Sequence, residues 1–180
     1  MGKVEAIVVA VAGGFFALAV LAFLSGRTES ELPRPAPVLE LASLDGAGFD
    51  LAALRGQPVL LNFWATWCPP CVAETPSLVK LDETLRPEGL VVVGLSVDKD
   101  RDAVRNFVQR FGIRFPIPLD PTARSAHRYG TFKYPETFFI DRTGNIVKHW
   151  IGPVEWTRPE VLAEVRGLMR TGRSAAAAPR

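Results

Sequence analysis

A near-continuous apolar run, Val59 to Trp64, stops just short of Trp67-Cys68-Pro69-Pro70-Cys71, and a helical pattern, Val72 to Leu85, begins directly after it. A second apolar run, Leu90 to Val97, follows that helix. Runs of this kind, rich in Val and Leu, are the pattern of strands buried on both faces in a parallel sheet. Parallel strands joined through a helix form a β-α-β unit, which restricts the chain to an α/β architecture with a central sheet between helices. At 180 residues and 48% hydrophobic content, there is enough material for one domain with a sizeable core plus additional segments.

The strand-to-helix junction holds both cysteines of the chain. Two thiols at this spacing on a helix start share one face with Cβ atoms roughly 5–6 Å apart, and a small adjustment brings them to the roughly 3.8 Å of a disulfide. The spacing points to a reversible dithiol/disulfide pair. The first turn of a helix has unpaired N–H groups and the positive end of the macrodipole, which favour a thiolate. Cys68 is therefore the expected nucleophile, with a pKa below the free value of about 8.5 and a place on the outward side of the turn. Cys71, one turn further in, is the expected resolving thiol. Pro69 and Pro70 lack N–H groups that the first turn would leave unused, so they stiffen the loop and tune the stability of the thiolate. Zinc is the competing use of a CxxC pair, but a structural site needs four ligands and only His127 and His149 remain.

The remaining elements follow from local signals. Val38 to Leu44 and the segment after Asp45-Gly46 form a short hairpin, and Leu51 to Leu54 a brief helical turn. Asp100 caps a helix over Arg101 to Phe111, whose Val104, Phe107, Val108 and Phe111 line one face. A short helix, Thr122 to Tyr129, precedes two strands, Thr137 to Ile140 and Ile146 to Ile151, joined by the turn chemistry of Asp141 to Asn145. A helix over Arg158 to Arg170 closes the domain, and 171–180 is an alanine-rich tail expected to be disordered.

The amino-terminal part sets the expected compartment. Ala6 to Leu24 is uncharged, and as a helix it spans about 28 Å, close to a bilayer core of about 30 Å. Lys3 and the amino terminus precede the run, while Glu29 and Glu31 follow Arg27, so the positive-inside tendency places the rest of the chain outside. Residues 1–27 are expected to be a retained transmembrane anchor rather than a cleaved signal peptide, with 28–37 a proline-punctuated spacer and 38–170 the catalytic domain. The net charge of +2 and the lack of a basic run with interleaved aromatics give no indication of nucleic-acid binding.

The segment Leu61 to Pro76, with its FWATWCPPC run and Glu74 after the second cysteine, resembles the membrane-anchored, TlpA/ResA/CcmG-like (DsbE-like) thiol-disulfide oxidoreductases of the bacterial cell envelope. Tyr134-Pro135-Glu136-Thr137-Phe138-Phe139-Ile140-Asp141 also matches, and the resemblance extends from Val38 to Met169. It implies a thioredoxin-like fold with a central mixed β-sheet flanked by helices. It also implies a single-pass protein of the inner membrane whose periplasmic domain reduces disulfides such as those of apocytochrome c in cytochrome c maturation. A membrane electron donor with a thioredoxin-like dithiol would re-reduce it, and no bound cofactor is needed. In this family Cys68 attacks the substrate disulfide, Cys71 resolves the mixed disulfide, and Pro135 matches a cis-proline opposite the dithiol that exposes the backbone of Tyr134 to an extended substrate strand.

Glu74 lies on the helical face of Cys71 and is expected to move the resolving thiol's proton, provided burial raises its pKa. Many thioredoxins carry an acid in the preceding strand; the matching position here is Asn62, so that role passes to Glu74. Trp67 is expected in a docking surface around the dithiol, and Trp64 in the core. His127 and His149 are read as lone packing or surface histidines without a partner carboxylate, and Asp98 and Lys99 as a solvated loop. Two other functions fit a dithiol of this kind: disulfide donation or isomerisation on the same fold, and service in copper-site assembly for an oxidase, as thiol reductase or copper chaperone. Copper chaperones space their cysteines more widely, which counts against that role.

Overall fold

The structure, a computed structural model, describes residues 32–171. The expected anchor, the first part of the spacer and the tail 172–180 lie outside the described residues. Among the described residues, no helix is long and apolar enough to cross a membrane.

In chain order the strands are β1 (Arg34–Pro35), β2 (Glu40–Ala42), β3 (Gly48–Asp50), β4 (Val59–Trp64), β5 (Val91–Ser96), β6 (Glu136–Ile140) and β7 (Asn145–Ile151). The helices are α1 (Pro69–Leu85), α2 (Arg101–Phe111), α3 (Arg124–Tyr129) and α4 (Pro159–Arg170), with a single 3-10 turn at Leu51–Leu54 and another at Arg86–Glu88. Five strands form the central sheet in the order β1-β7-β6-β4-β5, and β2 and β3 form a separate hairpin. β4 and β5 are parallel, whereas β4, β6, β7 and β1 pair antiparallel in succession, so the sheet is mixed. The fold is thioredoxin-like, with β4, α1 and β5 as its parallel crossover unit.

β4 and β6 are buried along their whole length. Leu60, Leu61, Phe63, Phe138 and Phe139 fill the core on the two faces, joined by Leu81 and Leu85 of α1 and Val165 of α4. Each such side chain contributes about 1.5–3 kcal/mol relative to exposure, so the hydrophobic sheet centre dominates the stability of the frame that holds the dithiol. On α2 the apolar stripe docks as its spacing dictates, with Val104 and Phe107 buried and the Trp64 ring tilted against Phe107 at 4.6 Å between centroids.

Two details depart from the sequence expectation and a third lies outside it. The proline-rich stretch is not only a spacer: Arg34 and Pro35 pair with Ile146 and Asn145 as the edge strand of the sheet. An edge tolerates a proline because the missing N–H faces away from the ladder. Arg34 Nη2 donates to the Tyr129 carbonyl at 2.9 Å and Tyr129 Oη donates to the Pro37 carbonyl at 2.8 Å, fastening this strand to α3. The domain therefore begins before Val38. Second, α3 starts at Arg124 rather than Thr122, because the buried carboxylate of Asp120 accepts from the N–H groups of Arg124, Ser125 and Ala126. Third, the loop after α2 runs along β5, with Gly94 N–H donating to Pro116 O and Ser96 N–H to Pro118 O, both at 3.0 Å. Leu119 N–H in turn donates to Ala42 O, which ties the β2–β3 hairpin to the main sheet.

Candidate active site

β4 ends at Trp64, and the loop Ala65 to Trp67 delivers Cys68 to the N-cap of α1. Cys68 and Cys71 are joined in a disulfide with Cα atoms 5.3 Å apart. Cys68 Sγ also accepts the N–H of Cys71 at 3.3 Å, as a capping side chain does. Both prolines occupy the first helical positions, where no N–H is lost from the intrahelical ladder. Cys68 is the more exposed of the two cysteines, as expected, but at 5% against 2% for Cys71 both are buried. The residue that projects is Trp67, at 65%.

The loop is held from β5. Asp98 accepts from Thr66 N–H at 2.9 Å, Thr66 Oγ1 at 2.5 Å and Ser96 Oγ at 2.8 Å. It is buried, so the expectation of a solvated Asp98 is corrected, while Lys99 is exposed. The cause is register: Trp64 lies opposite Ser96 in the parallel pair, and two residues further along Thr66 meets Asp98. Each of these hydrogen bonds contributes about 0.5–1.5 kcal/mol net, and together they fix the residue that precedes Trp67 and Cys68.

Glu74 is a buried carboxyl at the centre of a four-element junction. Its Oε1 accepts from Val154 N–H at 3.0 Å and Trp156 Nε1 at 2.8 Å, and its Oε2 from Asn62 Nδ2 at 3.2 Å. Asn62 Nδ2 also donates to Thr137 Oγ1 at 2.8 Å, which couples β4, β6 and the segment after β7 through one side chain. Burial raises the Glu74 pKa to about 7, against the opposing pull of the bonds from Val154, Trp156 and Asn62. The carboxyl borders an open groove of about 400 Å³ lined by Ala73, Pro153, Val154, Glu155, Arg158 and Val161.

Across from the dithiol, the Tyr134–Pro135 peptide is cis, and the Tyr134 ring meets Trp67 edge-on at 6.2 Å between centroids. Pro135 O accepts from Gly152 N–H at 2.9 Å, while among the described residues neither the N–H nor the C=O of Tyr134 has a hydrogen-bond partner. Glu136 is fully buried. Its Oε1 accepts from the N–H groups of Phe132 at 2.9 Å and Lys133 at 2.7 Å, and its Oε2 lies 2.7 Å from His149 Nε2. His149 is thus not a lone histidine: it has a carboxylate partner and stacks on Phe138 at 4.1 Å. His127 is exposed. Among the described residues no three His, Cys, Asp or Glu side chains converge as a metal site.

Sequence reasoning brought together Cys68, Cys71, Glu74, Trp67, Tyr134 and Pro135, but it missed Trp156, Asp98, Glu136 and the exposed Phe132. The pairing of Asp98 with Thr66 was available from aligning the two parallel strands, and Glu136 stands out as a charge inside an apolar strand. No local pattern marked Trp156, which lies far from Glu74 in sequence and meets it through the fold.

A disulfide at a helix N-terminus, one turn from a buried carboxyl whose pKa is raised to about 7, with the Tyr134–Pro135 segment against the loop before it, defines a thioredoxin-fold thiol-disulfide oxidoreductase. The model of the AhpC/TSA family matches residues 32–149. The chain is 33% identical over 130 residues to thiol-disulfide oxidoreductase ResA of Bacillus thuringiensis (strain Al Hakam), covering 72% of this chain and 75% of that protein. ResA of Bacillus subtilis (strain 168) is 32% identical over 127 residues, covering 71% of each chain. The chain therefore belongs to the AhpC/TSA family and, within it, to the ResA thiol-disulfide oxidoreductases. A secreted Mycobacterium tuberculosis disulfide oxidoreductase homologous to E. coli DsbE superposes with a TM-score of 0.64 at 29% identity, covering 72% of this chain and 96% of that one. A thioredoxin-family thiol:disulfide interchange protein from Chlorobium tepidum TLS superposes with a TM-score of 0.66 at 30% identity, covering 78% and 99%.

Proposed function

We propose that this chain is a membrane-anchored, extracytoplasmic reductase of protein disulfides, acting on oxidised envelope proteins such as apocytochrome c with its paired haem-site cysteines. The observation that carries the reading is the pairing of a helix-capping Cys68 with a resolving Cys71 one turn below it, on the helical face of a carboxyl whose pKa of about 7 suits proton exchange. In the reduced state the Cys68 thiolate attacks one sulfur of the substrate disulfide, which forms a mixed disulfide and releases the other substrate sulfur as a thiolate. Glu74 accepts the proton of the Cys71 thiol, and the Cys71 thiolate attacks Cys68 Sγ. The Cys68–Cys71 disulfide forms and the second substrate sulfur leaves reduced, so two electrons pass from the protein to the substrate. A dithiol on a membrane electron donor then reverses the exchange.

The docking side is supported by the exposed Trp67 and Phe132, by the Tyr134 ring against Trp67, and by a Tyr134 backbone that among the described residues is free to pair with an extended polypeptide. The anchor and the outer location are supported by the uncharged Ala6 to Leu24 run and its flanking charges. Trapping tests the reading. With Cys71→Ser, the full-length protein is expected to accumulate a mixed disulfide between Cys68 and a peptide bearing an oxidised Cys-x-x-Cys-His site, while Cys68→Ser accumulates none. Equal trapping by both variants, or by neither, would remove the assignment of roles.

A further inference from the structure

Glu136 is a buried carboxylate that the exchange chemistry does not use. Its position is nonetheless specific: one oxygen holds the N–H groups of Phe132 and Lys133, and the other meets His149 Nε2. The first pair lies in the loop that leads into Tyr134 and Pro135, so the carboxylate fixes the course of the chain on the substrate side of the dithiol. With both amides turned inward, the Phe132 ring is left outside at 76% exposure, in the same loop as Tyr134, which touches Trp67. His149 stands directly across the hairpin from Phe138 and is diagonal to Glu136, within reach across two antiparallel strands. It supports the carboxylate from the side opposite the loop, and its ring is itself fixed by stacking on Phe138.

We propose that Glu136 and His149 form a positioning pair that holds the Phe132–Tyr134 loop in the shape that docks a polypeptide, and that Phe132 is the specificity-determining side chain this loop presents. The proposal rests on the reading of a polypeptide disulfide as substrate but not on the direction of electron flow. The pair touches neither reacting sulfur, so it acts on how the polypeptide is held and not on the exchange itself. A bulky apolar residue next to the substrate cysteine is the chemistry that an exposed phenyl ring recognises.

His149→Phe keeps the ring stack on Phe138 and removes the nitrogen, whereas His149→Gln keeps a donor for Glu136. The experiment measures KM and kcat for reduction of an oxidised peptide, together with the equilibrium reduction potential of each variant. Loss of one hydrogen bond predicts a KM raised about threefold to tenfold in His149→Phe, with kcat within about twofold and the potential unchanged. His149→Gln is expected to restore most of the KM, and Phe132→Ala to raise it with the same split. An unchanged KM in His149→Phe overturns the proposal, as does a fall in kcat or a shift in potential that follows the KM change. An equal defect in His149→Gln also overturns it, since that variant retains the donor. If the wild-type protein oxidises a reduced peptide instead of reducing an oxidised one, the functional reading fails, and the same KM comparison in that direction still decides the positioning role.

Discussion

Three hydrogen bonds meet the Glu74 carboxyl, yet burial outweighs them and its pKa stands at about 7. An unfolded chain would release this proton near the ordinary value of 4.5, so the folded state holds it more tightly across the interval between. Stability from this group is therefore fully present below pH 4.5 and is lost as pH rises toward 7, by an amount on the order of 3 kcal/mol. Denaturant unfolding at a series of pH values is expected to show that decline in the wild-type protein and a flat profile over the same window in Glu74→Gln. The pH dependence of thiol exchange should lose its inflection near 7 in the same variant. Asp98 carries a different prediction: Asp98→Ala leaves the Thr66 N–H and hydroxyl without their acceptor and is expected to cost about 1–3 kcal/mol in unfolding free energy. Neither result follows from an exposed carboxylate. At this scale the sequence was informative for Glu74, because the helical spacing from Cys71 is local, and uninformative for its partner Trp156, because that contact spans a separation of 82 residues.

At the scale of elements, strong periodicity and long apolar runs made β4, α1, β5 and α2 legible within a residue or a few, since each element buries one face or both. Elements fixed by distant partners were not legible. β1 is two residues long and exists only because β7 offers it an edge, and the start of α3 is set by Asp120, which precedes the helix by several residues. Gly94 shows how tightly β5 is packed against the loop that follows α2. A Cβ there would lie 2.8 Å from Phe115 Cε2 and 3.1 Å from Trp64 Nε1, with the Ile117 methyl at 3.0 Å. Gly94→Ala is expected to destabilise the protein by about 1–3 kcal/mol through overpacking, read as a lower melting temperature with the dithiol chemistry retained. An alanine tolerated without loss would mean that the loop has room to move.

For the molecule as a whole, the site exists because chain topology folds three separate stretches onto one end of the sheet. The dithiol sits on the strand-to-helix junction, the cis-proline loop arrives by the antiparallel β6, and Trp156 comes from beyond β7. Only the first of these is a local motif, which explains why the two thiols and Glu74 could be assigned from spacing while Asp98 and Glu136 could not. The arrangement also links redox state to stability. A reductase favours its disulfide over its dithiol relative to typical substrates, so heating is expected to unfold the oxidised protein at a higher temperature than the reduced one; a strong oxidant, whose reduced form is the stabilised one, would show the reverse order.

The equilibrium reduction potential of the Cys68–Cys71 couple, measured in glutathione buffers, tests the account most directly. Every 30 mV corresponds to about 1.4 kcal/mol for a two-electron couple, so the two outcomes are far apart. A value near or below about −270 mV is predicted and fits a protein that reduces envelope disulfides. A value near about −120 mV would contradict the account and make the chain a disulfide donor.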